Sequence, residues 1–310
     1  MTSPTPSASE PVIALTGLTR RFRTKLALDN VSLDVTRGQV FGLVGANGAG
    51  KTTLIKHLLG LYAPAQGSVR VFGLDPIAEP ASVLGRIGFL SEDRDLPPSM
   101  RVEELVRYTA AFYPKWDAAY AAHLQEEFQL DSRARIRHLS RGELAKAGLL
   151  LALAHRPELL VLDEPSSGLD PLVRREVLEA IVRTVADEGR TVFFSSHLLD
   201  EIERVSDQIA MMAHGRIVLR GGLADLLEAH HRLTLRFDQP VTQPPRLAGA
   251  LSIRGSGMEW TAVCNGALAE LEAAAVRLGA RVVAEETATL EEIFLAHVGR
   301  VGSTPQPTEG

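Results

Sequence analysis

Nine consecutive residues could bind a phosphate chain. Gly45 to Thr53 match the pattern G-x-x-x-x-G-K-[ST], between an apolar run at Val40 to Val44 and a helix-like run at Thr53 to Leu59. The glycines let backbone N–H groups face an anion, and the following helix adds its positive N-terminal end. Lys51 can reach the β- and γ-phosphates, and Thr52 can offer its hydroxyl to Mg²⁺. A glycine-rich turn is the plainer interpretation, but the flanking strand and helix favour a nucleoside triphosphate site.

Two adjacent carboxylates are the second chemical feature. Asp163 and Glu164 follow the continuous apolar run Leu159 to Leu162, a pattern typical of a strand buried on both faces of a parallel sheet. Open α/β sheets bind ligands at the carboxyl ends of such strands. Asp163 is suited to holding Mg²⁺, and Glu164 to polarising the water that attacks the γ-phosphate. Two acids at a strand end are common, so this pair gains its meaning from the motifs around it.

Alternating strands and helices are expected to position these groups. Pro171 to Ala186 predicts a helix with Asp170 as N-cap and Pro171 in the first turn. Apolar runs rich in β-branched residues predict strands at Val12–Leu15, Val31–Val35, Val40–Val44, Val69–Phe72, Ile87–Leu90, Leu159–Leu162 and Thr191–Phe194.

A largely helical stretch from about Val102 to Leu130 interrupts this alternation. It carries three aromatic residues, Phe112, Tyr113 and Trp116. These rings either pack the helical insert onto the core or form an exposed patch that touches a partner. Packing is the simpler interpretation, because aromatic side chains are usually substantially buried.

The character of the sequence changes after Gly221-Gly222. Strands are expected at His231–Phe237, Leu251–Ile253 and Arg281–Ala284, and helices at Ala267–Leu278 and Leu290–Val298, with a Pro- and Gln-rich connection at Asp238 to Pro245. We therefore predict four parts of the chain: a disordered leader at 1–11, a nucleotide-binding domain at 12–229 with a helical subdomain at about 92–156, a small α+β domain at 230–301, and a disordered tail at 302–310.

Composition limits the other classes of function. The chain has 310 residues and a formal net charge of −5, with its basic residues spread out, so a nucleic-acid surface is not favoured. The single cysteine, Cys264, forms no intrachain disulfide and no clustered thiolate site, which fits a reducing cytosol. Neither a secretory signal nor a membrane-spanning run of about 20 apolar residues is evident. If the protein acts at a membrane, we expect another chain to supply the span.

Three further motifs complete a recognisable set. Leu139-Ser140-Arg141-Gly142-Glu143 precedes the two acids, Ser167-Gly168-Leu169-Asp170 follows them, and Ser196-His197 follows the next strand. Together with the phosphate loop, these motifs resemble the ATP-binding subunit of ABC transporters, in the order and spacing of that family. The resemblance covers about Val12 to Ala229. It implies an α/β fold with a P-loop NTPase core of the ABC type, a mixed sheet with helices, a helical subdomain, and here a small C-terminal α+β domain.

The resemblance also implies roles for individual residues. Phe22 matches the aromatic that stacks on adenine, although it could be a core residue. His197 matches the switch histidine that contacts the γ-phosphate, although a lone histidine is more often structural. Ser140 and Gly142 match the signature motif that contacts the γ-phosphate held by the other subunit, and Asp170 matches the acid that couples the two sites. The phosphate loop contributes Gly45, Asn47, Gly48, Ala49, Gly50, Lys51, Thr52 and Thr53.

Three positions depart from the family pattern. Ser91-Glu92 stands where the family usually has glutamine; Glu92 can still bind Mg²⁺ or orient water, but it adds negative charge beside the phosphates. In the signature motif, Arg141 replaces a glycine and Glu143 replaces a glutamine. Arg141 either brings positive charge near the phosphates or points to solvent.

The implied mechanism is that two copies, or this chain and a paralogous subunit, close around two ATP molecules and drive a separately encoded integral-membrane permease. Such a subunit would be cytoplasmic and peripheral on the inner face of the cell membrane. The C-terminal domain, with its closing segment Thr289 to Phe294, is similar to extensions of subunits of drug, antibiotic or polymer exporters. Ile293, Phe294 and Val298 could form a dimer contact or simply cover a small sheet. Two alternatives stay open: a soluble ABC-type ATPase acting on ribosomes or DNA, and a sensory subunit with slow turnover.

Overall fold

A computed structural model of the chain describes residues 11–186 and 189–301. These form two compact units, divided between Ile217 and Val218. The predicted tail at 302–310 lies outside the described residues, as does the predicted leader apart from Pro11. The predicted boundaries at 12–229, 92–156 and 230–301 stay predictions.

Three antiparallel strands form the first sheet of unit one. They are β1 (Ile13–Phe22), β2 (Lys25–Val35) and β4 (Gln66–Val71), in the order β2-β1-β4. Ile13 lies opposite Val35 on one side and Val71 on the other, and all three side chains are buried. Each of these strands is longer than the apolar run that predicted it, because backbone pairing continues into polar residues at the strand ends.

A six-stranded sheet forms the centre of the same unit. Its strands are β3 (Val40–Val44), β5 (Ile87–Leu90), β6 (Leu159–Asp163), β7 (Thr191–Ser196), β8 (Gln208–Ala213) and β9 (Arg216–Gly222), in the order β5-β6-β7-β3-β8-β9. The pairs from β5 through β8 are parallel. Every residue of β3, β6 and β7 is buried, as the continuous apolar runs of β6 and β7 predicted for those two strands. The division between the two units falls within β9.

The helices of unit one include the predicted insert. They are α1 (Lys51–Leu58), α2 (Pro80–Leu84), α3 (Val102–Ala110), α4 (Ala118–Glu127), α5 (Arg141–Leu153), α6 (Pro171–Ala186) and α7 (Leu199–Val205), with a short 3-10 turn at Ile136–His138. One aromatic residue of the insert packs within the unit and another is exposed, so each of the two expectations holds for one ring. Tyr113 stacks on His155 with ring centroids 3.9 Å apart, whereas Phe112 is exposed beside Tyr108. Among the described residues, no helix combines the length and apolar character needed to cross a membrane.

One ion-pair network joins the amino ends of three strands of the six-stranded sheet. Glu158, just before β6, accepts hydrogen bonds from Arg86 Nε at 2.7 Å and Nη2 at 2.9 Å. Arg37, just before β3, donates to the same carboxylate at 3.1 Å. These bonds lower the pKa of Glu158 to about 2, the Arg86 contact being the largest cause. The network therefore fixes the strands at the edge opposite to the one where the acids emerge.

In its described part, up to Val301, the second unit contains a three-stranded antiparallel sheet and three helices. The strands are β10 (His230–Val241), β11 (Ala250–Asn265) and β12 (Ala280–Thr287), in the order β11-β10-β12, and the helices are α8 (Leu223–Glu228), α9 (Leu268–Arg277) and α10 (Leu290–Val301). The predicted strand at Leu251–Ile253 is too short, because pairing with β10 carries β11 on to Asn265. The predicted connection at Asp238 to Pro245 is partly wrong for the same reason, since β10 runs to Val241. Ile293 is fully buried, as expected for a helix that covers a sheet.

Candidate functional site

The phosphate loop has the backbone that its glycines predict. Gly48 and Gly50 have φ values of 80° and 115°, a region that side chains rarely adopt. A Cβ atom on Gly50 would lie 2.6 Å from the Ala27 carbonyl oxygen, and one on Gly45 would lie 2.4 Å from the Met212 carbonyl oxygen. Gly50 is the N-cap of α1. The loop therefore needs glycine at these positions to curl against the first turn of a helix.

Lys51 is held between the loop and one of the predicted acids. Its Nζ donates to the Gly45 carbonyl oxygen at 2.6 Å and lies 3.0 Å from Glu164 Oε1. The residue is only 5% exposed. Oε1 of Glu164 is buried and accepts no hydrogen bond from the described residues. Its contact with Lys51 is therefore an ion pair without a hydrogen bond. That oxygen is left able to accept a bond from another donor, such as a water molecule.

Glu164 also contacts the predicted switch histidine. Its Oε2 lies 2.7 Å from His197 Nδ1, while its backbone N–H donates to Ser195 Oγ at 3.0 Å. Glu164 has a φ of 49°, an uncommon conformation for a residue with a side chain. The backbone turn at the end of β6 thus places the carboxylate between Lys51 and His197.

Asp163 lies beside the hydroxyl of Thr52. Burial raises the pKa of Asp163, while hydrogen bonds with Ser195 and Thr52 lower it in part. The Ser195 hydroxyl donates to Asp163 Oδ1 at 2.7 Å. A carboxylate and a hydroxyl are oxygen ligands of the kind that Mg²⁺ prefers, usually with substrate oxygens completing the set.

A cavity of about 270 Å³ opens in front of these groups. It brings together residues that the sequence suggested from four separate segments: the strand β1, the phosphate loop, the segment after β5 and the end of β6. Phe22 is half-buried at its rim, edge-on to Tyr62 with ring centroids 5.4 Å apart and under the Arg20 guanidinium at 4.8 Å. The lining residues are Phe22, Lys25, Ala27, Asn47, Gly48, Gly50, Lys51, Thr52, Thr53, Glu92 and Glu164.

The signature residues are not among those that line this cavity. Ser140 caps α5: its hydroxyl accepts from Glu143 N at 3.2 Å, and Glu143 Oε2 accepts from Ser140 N at 2.8 Å. Hydrogen bonds of the Glu143 carboxylate with the Ser140 side chain and with the Ser140 backbone N–H lower the pKa of Glu143. Glu and Gln both complete such a capping box, which gives a structural reason why glutamate is tolerated where the family usually has glutamine.

Gly142 and Arg141 lie against other parts of unit one. A Cβ on Gly142 would be 3.1 Å from Val173 Cγ1, so glycine permits the close approach of α5 and α6. The Arg141 guanidinium lies beside Gly168, where an added Cβ would be 3.1 Å from Nη1. Within one chain, Arg141 therefore contacts the loop that follows Glu164, an arrangement that neither sequence-based alternative described.

Asp170 caps α6 as predicted. Its Oδ1 accepts from Leu172 N at 3.1 Å and Val173 N at 3.2 Å, and Pro171 is the first helical residue. The residue lies six positions after Glu164, at the end of the loop that contacts Arg141.

Sequence reasoning missed several residues that contact the site. Ser195 bonds to both acids, Arg94 bonds to the loop after Glu164, and Glu201 bonds to serines near Glu164 and His197. Only Ser195 had a signal, since it ends a buried strand beside the Ser196-His197 motif. Arg94 and Glu201 lie in segments whose patterns are those of an ordinary loop and an ordinary helix.

The fold and the site define a class of protein. A phosphate loop after a central parallel strand, two acids at the end of a neighbouring strand and a histidine beside the second acid are the parts of a P-loop ATPase.

Comparison with known proteins identifies the family. A sequence model of the ABC transporter family matches residues 28–167. The ABC transporter ATP-binding protein YtrB of Bacillus subtilis (strain 168) is 28% identical over 93% of this chain and 98% of its own length. The ABC transporter ATP-binding protein NatA of the same organism is 31% identical over 73% of this chain and 96% of its own length. A solved structure of an ATP-binding subunit of an ABC transporter has a TM-score of 0.64 at 29% identity, covering 70% of this chain and 92% of that one.

The chain belongs to the family of ABC transporter ATP-binding proteins. It is an ATP-binding, ATP-hydrolysing subunit of that family, and the sequence-based expectations of fold class and activity are confirmed.

Proposed function

We propose that two copies of this chain close around two ATP molecules and that hydrolysis, carried out by Glu164, drives a separate membrane permease. The observation that carries the proposal is the Glu164 carboxylate, held between Lys51 at 3.0 Å and His197 at 2.7 Å beside the phosphate loop. A buried carboxylate next to the loop that would hold the γ-phosphate supports the role of Glu164 as the base.

The residues at and beside the cavity then have distinct roles. Backbone N–H groups from Gly48 to Thr53 and the Lys51 ammonium bind the phosphates, and Phe22 stacks on the adenine. Oε1 of Glu164 accepts a hydrogen bond from the attacking water and takes up its proton. His197 holds the carboxylate through Nδ1 and contacts the γ-phosphate, as the family resemblance implies.

Mg²⁺ fits the oxygen atoms at this position. We propose that Thr52 and Asp163 hold the ion, directly or through water, with Glu92 as a further ligand from the rim of the cavity. When bound, Mg²⁺ neutralises charge on the phosphate oxygens. Burial raises the pKa of Asp163, and a positive charge bound beside it would lower that pKa by favouring the carboxylate.

The second subunit would complete each site. Ser140, Gly142 and Asp170 do not line the cavity of their own chain, which supports a role toward nucleotide held by the other copy. Ser140 and Gly142 stand at the N-terminus of α5, a 13-residue helix, where an anion is stabilised by backbone N–H groups. ATP binding at both sites would therefore favour the closed pair over two separate chains.

The permease and the location follow from family membership. We propose a separately encoded integral-membrane partner, a peripheral position on the inner face of the cell membrane, and no nucleic-acid partner, in line with the net charge of −5. Export is proposed over import on the likeness of the C-terminal segment Thr289 to Phe294 to that of exporter subunits. The relatives reported above are transporter subunits, so the ribosome- or DNA-acting alternative is not favoured.

Steady-state ATP hydrolysis tests the proposed chemistry. Glu164→Gln should lower kcat by about 10²–10⁴-fold while ATP still binds, because the amide cannot accept the proton. Glu126→Gln, an exposed glutamate on α4, is the matched control and should leave kcat unchanged. A wild-type rate no higher than that of Glu164→Gln would contradict the proposal.

Affinity purification tests the proposed partner. The tagged chain would be recovered from mild-detergent extracts of its native cells with ATP present. Recovery of a polytopic membrane protein in stoichiometric amount is expected. Recovery of ribosomal or DNA-repair proteins without a membrane protein would contradict the transport role and leave the ATPase assignment in place.

A further inference from the structure

Glu201 is a fully buried carboxylate that bridges the two loops carrying Glu164 and His197. Its Oε1 accepts a hydrogen bond from Ser166 Oγ at 2.5 Å, and its Oε2 accepts one from Ser196 Oγ at 2.6 Å. Ser166 lies two residues after Glu164, and Ser196 lies directly before His197. Both distances are those of charge-assisted O–H···O bonds. One side chain from α7 thus contacts the segments on either side of the Glu164–His197 pair.

A third partner helps to keep the Glu201 charge in the interior. Arg174 Nε lies 3.3 Å from Glu201 Oε1, and the glutamate is 0% exposed. A buried charge is costly unless it is paired and hydrogen-bonded. A helix that only needed to cover the sheet would carry an apolar residue here, as it does at the neighbouring Ile202, which is also 0% exposed. The carboxylate therefore suggests a requirement other than packing.

Arg94 holds the same loop from another side. Its Nη2 donates to the Pro165 carbonyl oxygen at 3.0 Å and to the Ser167 carbonyl oxygen at 2.8 Å. The residue is 9% exposed and has a φ of 49°, so the backbone adopts an unfavourable conformation while the guanidinium reaches the loop. Each of the residues from Pro165 to Ser167 is held by a charged side chain from a distant segment.

The position of this loop determines the geometry of the carboxylate before it. Glu164 has a left-handed backbone conformation, and its Oε2 must stay 2.7 Å from His197 Nδ1 across two separate loops. Catalytic groups displaced by about 1 Å lose rates of the order of a hundredfold. Glu201 hydrogen-bonds to a serine in each of the two loops.

We infer that Glu201 is a positioning residue for ATP hydrolysis, which fixes the loop after Glu164 to the loop that carries His197. It does this by bridging Ser166 and Ser196 and does not touch the nucleotide. The inference rests on the proposed function, in which Glu164 and His197 act on the same phosphate.

The first test separates turnover from binding. Glu201→Ala should lower kcat by about tenfold to hundredfold, as expected for the loss of hydrogen bonds to a charged group, and change KM for ATP by less than about twofold. Glu201→Gln should recover most of the rate, because an amide can bond to two hydroxyl groups that both donate and accept. Asp200→Asn, at the exposed preceding residue, is the control and should have the wild-type kcat.

A second readout needs no turnover. With ¹⁵N-labelled histidine, the Nδ1 chemical shift of His197, assigned with His197→Gln, reports its contact with Glu164. Glu201→Ala should move this signal, and Asp200→Asn should leave it in place. If wild-type protein hydrolyses ATP no faster than Glu164→Gln, the proposed function fails, and the His197 signal alone decides whether Glu201 positions the pair.

Any of three results for Glu201→Ala would overturn the inference. They are a kcat within about threefold of that of the control, a change in KM proportional to the change in kcat, and a His197 signal that does not move. If Glu201→Ala does not fold, Ser166→Ala carries the same test, because it removes one arm of the bridge and leaves the carboxylate bonded to Ser196. It should lower kcat by about threefold or more and shift the His197 signal.

Discussion

Replacing Glu158 should destabilise unit one without impairing the chemistry. Glu158→Gln removes the charge that Arg86 and Arg37 bind at distances of 2.7 to 3.1 Å. The pKa of Glu158 is about 2 instead of 4.5, a difference that would stabilise the folded state by about 3.5 kcal/mol at about 1.4 kcal/mol per pKa unit. The side chain is 42% exposed, and solvent screening weakens such pairs. We therefore expect a loss of about 1–2 kcal/mol at pH 7.

The pH dependence gives the sign of the effect. Because folding lowers the pKa of this carboxyl group, its contribution is fully present above the unfolded-state value of 4.5 and is lost as the pH falls toward about 2. The difference in unfolding free energy between wild type and Glu158→Gln should therefore be constant near neutral pH and shrink below about pH 4.5.

Urea unfolding of unit one measures this difference. Trp116 belongs to unit one and Trp260 to unit two, so a Trp260→Phe background makes the fluorescence of Trp116 the reporter. Glu126→Gln is the control and should not change the unfolding midpoint. An unchanged midpoint for Glu158→Gln at pH 7, or a difference that grows as the pH falls, would refute the reasoning. The kcat per folded molecule should stay within about twofold of wild type, since the network lies at the strand ends opposite the site.

Three other predictions follow from the site and the second unit. Gly50→Ala should abolish ATP binding and destabilise unit one by about 1–3 kcal/mol, because φ at this position is 115° and the new Cβ would lie 2.6 Å from the Ala27 carbonyl oxygen. Isothermal calorimetry with ATP measures the binding, and normal binding would contradict the prediction. Glu92→Gln should raise the Mg²⁺ concentration for half-maximal hydrolysis by roughly threefold or more, while Ser91→Ala should not. If both variants need the same Mg²⁺ concentration, Glu92 is not a ligand of the ion. Burial raises the pKa of Cys264 to about 11, so maleimide should label this thiol only after unfolding, and rapid labelling of the folded chain at pH 7 would show that the second unit opens.

The parts of the structure that the sequence predicted well depend on local chemistry. β3 and β5 match their apolar runs from first to last residue, and Asp170 caps α6 because Asp before Pro at a helix start is a short-range signal. The phosphate loop is recognisable from its local sequence pattern, although the contacts that require Gly45 and Gly50 are with the carbonyl oxygens of the distant residues Met212 and Ala27.

Features that depend on distant partners could not be predicted in the same way. β11 reaches Asn265 only because β10 lies beside it, and its glycines and serine at 255–257 give no strand signal of their own. The contacts of Arg94 and Glu201 join segments 71 and 35 residues apart, and no short motif encodes such a distance. Strands β8 and β9 were not predicted, although the apolar run Ile209 to Ala213 is a local signal for β8.

The central claim is that ATP joins two copies through the phosphate loop of one and the signature motif of the other. Light scattering on Glu164→Gln with ATP and Mg²⁺ tests it most directly. We expect a mass about twice the 33.5 kDa of one chain with ATP and the mass of a single chain without it. Ser140→Asp and Ser140→Asn, each combined with Glu164→Gln, form a matched pair: both keep a good N-cap for α5, but only the aspartate repels a γ-phosphate. We expect dimers with Ser140→Asn and monomers with Ser140→Asp. An ATP-dependent dimer with both Ser140 variants would contradict the claim. So would the absence of an ATP-dependent dimer with all three proteins, Glu164→Gln itself included.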